Sequence, residues 1–397
     1  MFKKLGPGVL VAAAFIGPGT VTACTLAGVN FGFSLLWAML LSIIATYVLQ
    51  EMSARLGIIT QNGLADVIKQ ELTNPWIKNS VIGLIFSAII IGNASYEAGN
   101  IGGATLGMEA LFGSLYGSWY PTVLGVLAFL LLYFGNYKSL EKLFIFLVLI
   151  MSLSFVLTAF LTQPNLWELI KGMFVPSIPE DGILTIIALV GTTVVPYNLF
   201  LHAALVSEKW KSKNALKLAK RDTFVSIVLG GIVSISIIVS AAAIKATEVN
   251  SIMDMAKAME PLYGSAALYF MGIGMFAAGI TSAITAPLAA AYVANSCFGW
   301  KADFKDVKFR FIWILILVLG VLFLSFGIKP IEIIKFAQVA NGLLLPIIAI
   351  FLLWVVNRAG VMGIHRNSKF QNVIGIAIIL LAVVLGAKSI LTVFGLL

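Results

Sequence analysis

The sequence predicts an all-α integral membrane protein, and three observations carry that expectation. Of its 397 residues, 60% are hydrophobic and only 11% are charged, against about 25% charged in an ordinary soluble domain. So few charges could not cover a soluble surface of this size, and the same hydrophobicity excludes intrinsic disorder. The apolar runs are continuous and long enough to cross about 30 Å of hydrocarbon as helices; the roughly ten-residue alternating segments of a β-barrel are absent. The 36 glycines suit helices that pack closely in lipid.

Eleven candidate helices follow in order, at roughly 7–30, 34–56, 79–110, 119–135, 140–162, 183–206, 223–247, 261–296, 309–328, 331–356 and 371–395. The first begins after Met1-Phe2-Lys3-Lys4. That start resembles a secretory signal, but its apolar run carries on past Pro18 as a span. The third holds Asn93, Glu97 and Asn100, which share one helical face at i, i+4 and i+7. The seventh follows a basic loop at 207–222, the eighth carries Thr281, Ser282 and Thr285, and the tenth carries Gln338 and Asn341 at i, i+3. Cys24 and Cys297 both lie inside apolar runs and form neither a disulfide framework nor a metal motif.

The basic residues set the orientation. With the N-terminus inside, the cytoplasmic segments hold 20 Lys and Arg and the opposite side holds 6, which accounts for all 26. The bias places the N-terminus in the cytoplasm and, after eleven spans, the C-terminus outside, in a multi-pass protein of bacterial plasma-membrane type. The net charge of +9 is therefore topological and implies no nucleic-acid partner. The loops leave no room for a soluble domain, and no Walker A sequence or Gly-rich phosphate loop is present. The expectation is one transmembrane domain, not an enzyme, with no cofactor and no obligate protein partner; its surroundings are the bilayer and a small solute or ion.

Two helices carry matched interruptions. The first span reads Phe15-Ile16-Gly17-Pro18-Gly19-Thr20, and the sixth reads Gly191-Thr192-Thr193-Val194-Val195-Pro196-Tyr197-Asn198. A mid-span proline removes a helical hydrogen bond and crowds the preceding turn. Each proline falls in the first helix of a five-helix block, and paired interruptions of this kind point to a transporter built from inverted repeats.

On these residues the chain resembles the Nramp (natural resistance-associated macrophage protein) family of proton-coupled divalent metal transporters. The family's first-helix Asp-Pro-Gly-Asn aligns with Gly17-Pro18-Gly19-Thr20, and its sixth-helix Met-Pro-His-Asn-Leu-Tyr-Leu-His with Val195-Pro196-Tyr197-Asn198-Leu199-Phe200-Leu201-His202. Ser53-Ala54-Arg55-Leu56-Gly57, Leu345-Pro346 and Arg366-Asn367-Ser368 extend the likeness along the chain. The resemblance implies a LeuT-type fold: repeat one at about 7–162, an inverted repeat two at about 183–356, and an eleventh helix at about 371–395. It also implies a substrate site at Gly17, Thr20, Val195, Asn198 and Gln338, and a proton pathway through Glu97, Asn100 and His202.

The departures concern chemistry. Gly17, Thr20 and Val195 stand where the family has a metal-ligating Asp, Asn and Met. Hard cations favour carboxylate oxygen, and softer ones favour thioether or imidazole. Without a counter-charge, desolvating a divalent ion costs on the order of tens of kcal/mol before compensation. No metal-ligand set can therefore be named from the sequence. Three readings stay open: a cation transporter with an altered site, a carrier of a neutral or anionic solute, and a non-transporting membrane sensor. Glu97 is the sole carboxylate well inside a span, either a proton carrier or a structural group; His202 is either a proton relay facing water or a packed residue. Lys335, one turn outward from Gln338, either faces the vestibule or pairs with Glu332.

Overall fold

The structure is a computed structural model that describes residues 16–135, 138–244, 249–300 and 306–393. Among these residues it is all helix and turn. The helices of eight residues or more are α1 Pro18–Phe31, α2 Leu36–Thr60, α3 Leu64–Glu71, α4 Pro75–Phe112, α5 Tyr120–Phe134, α6 Lys138–Leu161 and α7 Leu166–Phe174. They continue with α8 Ile183–Thr193, α9 Pro196–Lys209, α10 Leu216–Ala242, α11 Ala267–Phe298, α12 Val307–Ser325, α13 Pro330–Val356 and α14 Lys369–Val393.

Each described span lies close to its expected place. Among the described residues, nine helical stretches are long and apolar enough to cross a membrane, with α8 and α9 together making one of them. The fourth span is the shorter apolar helix Tyr120–Phe134. Residues 7–15 of the expected first span, 245–247 of the seventh and 394–395 of the last lie outside the described residues, as do Lys3, Lys4, Lys301 and Lys305. The short helices α3 and α7 were not expected. Each has one apolar face and is only 8 or 9 residues long, too short for a sequence period to stand out. Asn165 caps α7, accepting from the N–H groups of Trp167 and Glu168.

α4 is the axle of the molecule. Its 38 residues extend about 57 Å at 1.5 Å per residue, nearly twice the hydrocarbon thickness, so the helix tilts or projects beyond it. Asn74 caps it and Pro75 starts it. It packs along α11, α13 and α12, while α1 lies against α10, α8 and α13. The outer faces of α5, α6 and α14 carry exposed Val126, Leu149, Leu153 and Leu380. In a membrane these meet lipid and cost nothing.

A charged cluster ties together the ends of α2, α10 and α14. Arg55 is buried and donates to Glu51 at 3.1 Å, to Asn367 Oδ1 at 2.6 Å and to the His365 carbonyl. Lys220 of α10 reaches Glu51 at 2.9 Å. Removing one partner of a buried pair leaves the other charge uncompensated, which typically costs about 3–5 kcal/mol. Arg55→Ala should therefore lower the melting temperature of the detergent-solubilised protein well below wild type, while Arg55→Lys should lose less. A wild-type melting temperature in Arg55→Ala would show that the cluster contributes no net stability.

Candidate functional site

Both mid-span prolines start helices; neither bends one. Gly17 is extended (φ −102°, ψ −178°) and Pro18 is the first residue of α1. Val195 is extended (φ −74°, ψ 120°) and Pro196 is the first residue of α9. Proline suits this position because its missing N–H would have no helical partner there. The two helices match step for step. Each has 14 residues, the Thr20 N–H donates to the Gly17 carbonyl at 3.1 Å, and the Asn198 N–H donates to the Val195 carbonyl at 3.0 Å. Upstream of the second break, α8 ends at Thr193, and Val194 leaves the helical region (φ −99°, ψ 76°). Pro196 has no N–H for the Thr192 carbonyl. The junction thus places the partial negative C-terminus of α8 beside the partial positive N-terminus of α9.

Three contacts pull the interruptions together. The hydroxyls of Thr20 and Thr192 are hydrogen-bonded at 2.8 Å, joining α1 to α8. A Cβ placed on Gly191 would stand 1.8 Å from the Gln338 carbonyl oxygen, so the backbones of α8 and α13 touch. A Cβ on Gly19 would stand 2.2 Å from Gln338 Nε2, so the Gln338 side chain lies directly on α1. Gln338 is therefore held between the two halves of the junction. Thr20, Val195, Asn198 and Gln338 are each at most 1% exposed, and Gly17 is buried too. Two acceptors, Asn198 Oδ1 and Gln338 Oε1, are buried without a hydrogen-bond partner. Such groups are costly to leave unmet.

The residues expected to carry protons sit on two other contacts. Glu97 is fully buried, its carboxylate accepts from Asn100 Nδ2 at 3.2 Å, and its other oxygen has no partner. Its side chain faces Gly320 of α12. Asn93 turns to α11 and donates to the Ala286 carbonyl at 3.2 Å. His202 does not face water: it is fully buried, and its Nδ1 lies 2.7 Å from Gln50 Oε1 of α2. The rings of Tyr96 and Tyr197 meet edge to face at 5.6 Å, joining α4 to α9. Thr281 and Thr285 bond carbonyls of their own helix. Lys335 is exposed and pairs with Glu332 at 3.1 Å. Among the described residues, no three His, Cys, Asp or Glu side chains gather as a metal cluster.

Two contacts of these residues escape a reading by residue type. Thr192 is one threonine among several near Pro196, and Gln50 gives no sign in sequence that it meets His202, 152 positions away.

A helical membrane protein whose paired proline-started helices meet in a buried polar junction is a transporter of the LeuT type. The chain belongs to the natural resistance-associated macrophage protein-like family, whose sequence model matches residues 8–392; it is a transporter and not an enzyme. It is 29% identical over 426 residues to a divalent metal cation transporter MntH of Staphylococcus saprophyticus, covering 99% of this chain and 93% of that one. It is 27% identical over 404 residues to the MntH of Bacillus subtilis, covering 98% and 92%. In fold it is similar to a manganese transporter of Eremococcus coleocola (TM-score 0.79, 20% identity, 98% and 86% covered). It is also similar to the nucleobase-cation-symport-1 family transporter Mhp1 (TM-score 0.61, 15% identity, 99% and 94% covered).

The α8–α13 contact leaves no room for a methyl group. Gly191→Ala should drive the helices apart and cost about 1–3 kcal/mol as overpacking, seen as a lower melting temperature. Gly83→Ala, at a helical glycine with open space around it, should leave the melting temperature unchanged or slightly raised. Equal melting temperatures for Gly191→Ala and wild type would show that the backbones do not touch.

Proposed function

We propose that this chain is a secondary transporter that moves a metal cation through the junction of α1, α8, α9 and α13. One observation carries the reading: Asn198 Oδ1 and Gln338 Oε1 are buried oxygens with no protein donor to satisfy them, at the point where both interrupted helices meet. A cation supplies what they lack. The relatives named as divalent metal cation transporters support the same substrate class. In this reading Thr20, Asn198 and Gln338 bind through side-chain oxygen, and Gly17 and Val195 through the main chain alone. A neutral donor set offsets little of the desolvation cost, so the ion keeps part of its hydration shell.

The inverted repeats run over about 7–162 and 183–356, with the eleventh helix at about 371–395. The matched geometry at Pro18 and Pro196 supports that division. The basic-residue bias supports a cytoplasmic N-terminus, an outside C-terminus and a plasma membrane of bacterial type. A second reading, a neutral or anionic solute, draws on the N-termini of α1 and α9, whose partial positive charge is unopposed by any carboxylate at the junction.

Uptake into proteoliposomes, with empty vesicles as control, separates the two. Cation-dependent flux across a panel of divalent metals supports the first reading. Flux of uncharged or anionic solutes with none of metals supports the second. Manganese should bind at least tenfold more weakly than to a relative with the aspartate, because carboxylate and thioether are both missing. Gly17→Asp with Thr20→Asn and Val195→Met should tighten manganese binding. Gly17 has an extended backbone that any residue adopts, and an aspartate there would also cap α1. Micromolar manganese binding by the unaltered chain in calorimetry would overturn this account of the site.

Proton coupling, where present, runs through Glu97 with Asn100, and through His202. Glu97 is the sole acid deep in a span, and the junction itself has none. Glu97→Gln should abolish proton movement or its pH dependence and leave substrate binding largely intact; His202→Ala should alter the pH profile of uptake. Unchanged pH-dependent uptake in Glu97→Gln would make that carboxyl structural.

A further inference from the structure

We infer that the groove between α13 and α14 is a binding site for an anionic phospholipid, with its phosphate on Arg358 and one acyl chain lying between the two helices. The groove is a cavity of about 550 Å³ whose walls include Ile350 and Leu353 of α13 and Ile376, Ile379 and Leu380 of α14. Ile350, Ile376 and Leu380 are 48%, 49% and 58% exposed, so the apolar wall is open to the bilayer. Arg358 and Asn357 close one end. Along α13, Ile350 lies eight residues before Arg358, and along α14, Leu380 lies eleven after Lys369. At 1.5 Å per residue those intervals are about 12 and 16 Å. That is about half of a 30 Å hydrocarbon core, the depth of one leaflet. The groove therefore has the length of a single acyl chain that begins at the basic end.

Charge selects the headgroup. No Asp or Glu follows Glu332 in the chain, while Arg358, Arg366 and Lys369 all lie in the short segment where α13 gives way to α14 and are exposed. Arg358 lies over the Trp354 ring at 5.6 Å and uses its Nε to reach Glu71 Oε2 at 2.9 Å. A guanidinium carries five N–H donors, so its terminal nitrogens can still fork onto a phosphate. Asn357 is fully engaged with Leu353 and Asn372 and fixes the floor of the groove. Exposed Ile364 and Phe370, at 93% and 73%, flank the basic residues and suit the lipid interface.

The test uses the full-length protein, exchanged into micelles with equal amounts of phosphatidylglycerol and phosphatidylcholine and examined by native mass spectrometry. Phosphatidylglycerol should be retained at least fivefold more than phosphatidylcholine. Arg358→Gln combined with Arg366→Gln should remove that preference. Ile376→Trp should fill the groove and reduce retention of phosphatidylglycerol at least fivefold with the basic residues intact. Glu71→Gln releases Arg358 from its partner and should keep or raise retention, which separates loss of the phosphate ligand from loss of the α3 contact. Equal retention of the two lipids overturns the proposal, as does full phosphatidylglycerol retention in Ile376→Trp. Displacement of the lipid by millimolar inorganic phosphate would reduce the site to an anion site and overturn it as well.

Discussion

Everything at the centre of this protein depends on a backbone constraint: at membrane depth a chain that stops being helical must find partners for its N–H and C=O groups inside the protein. Pro18 and Pro196 each open a helix after one extended residue. Beside these helix starts packs α13, whose Gln338 side chain rests on Gly19 while its carbonyl presses on Gly191. The Thr20–Thr192 hydrogen bond closes the arrangement from the other side. Glycine at 191 is needed because the α8 and α13 backbones leave no space for a Cβ, while at Gly19 the space is taken by the Gln338 side chain. The interruption and the packing that tolerates it are therefore one feature.

The residues that meet at that junction, Gly17, Thr20, Thr192, Val195, Asn198 and Gln338, carry no charged side chain. The carboxylate buried deepest in a span, Glu97, is held at the α4–α12 contact with Asn100. The buried Arg55–Glu51–Lys220 cluster sits at the end of α2. The junction itself offers hydroxyls, amides and main chain. In the proposed reading, that arrangement would move the burden of compensating a charged substrate from a fixed carboxylate to dipoles and retained water. Dipoles compensate charge less strongly, which would lower affinity and relax selection by ligand softness.

At the ends of the spans, long-range contacts hold the connecting segments. Arg55 carries the segment before α14 through Asn367 and the His365 carbonyl, Arg358 carries α3 through Glu71, and Asp66 of α3 accepts from Ser296 at the end of α11. The helix α3 is thus anchored to two spans by side chains it could not anchor by length. An anionic lipid on Arg358 would share a ligand with one of these anchors, which places the bilayer in contact with the segment joining α2 to α4.

The sequence by itself determined the class, the approximate spans among the described residues and the prolines at which α1 and α9 begin. Hydrophobic runs must match a bilayer thickness, and a proline's missing N–H suits it to a helix start. It also singled out Gly17, Thr20, Val195, Asn198 and Gln338, because they align with a family pattern. It did not show that Thr192 meets Thr20, that Gln50 meets His202, or that Glu97 turns to Gly320. Those pairings join residues up to 223 positions apart, and one threonine or glutamine in an apolar run looks like another until the helices pack. Packing placed Lys335 and His202 in the same way: Lys335 takes Glu332 on its own helix at an exposed end, and His202 is buried with its Nδ1 on Gln50 of α2. Local chemistry sets what a residue can do, and only the packing of helices distant in sequence sets which partner it meets and how dry that meeting is.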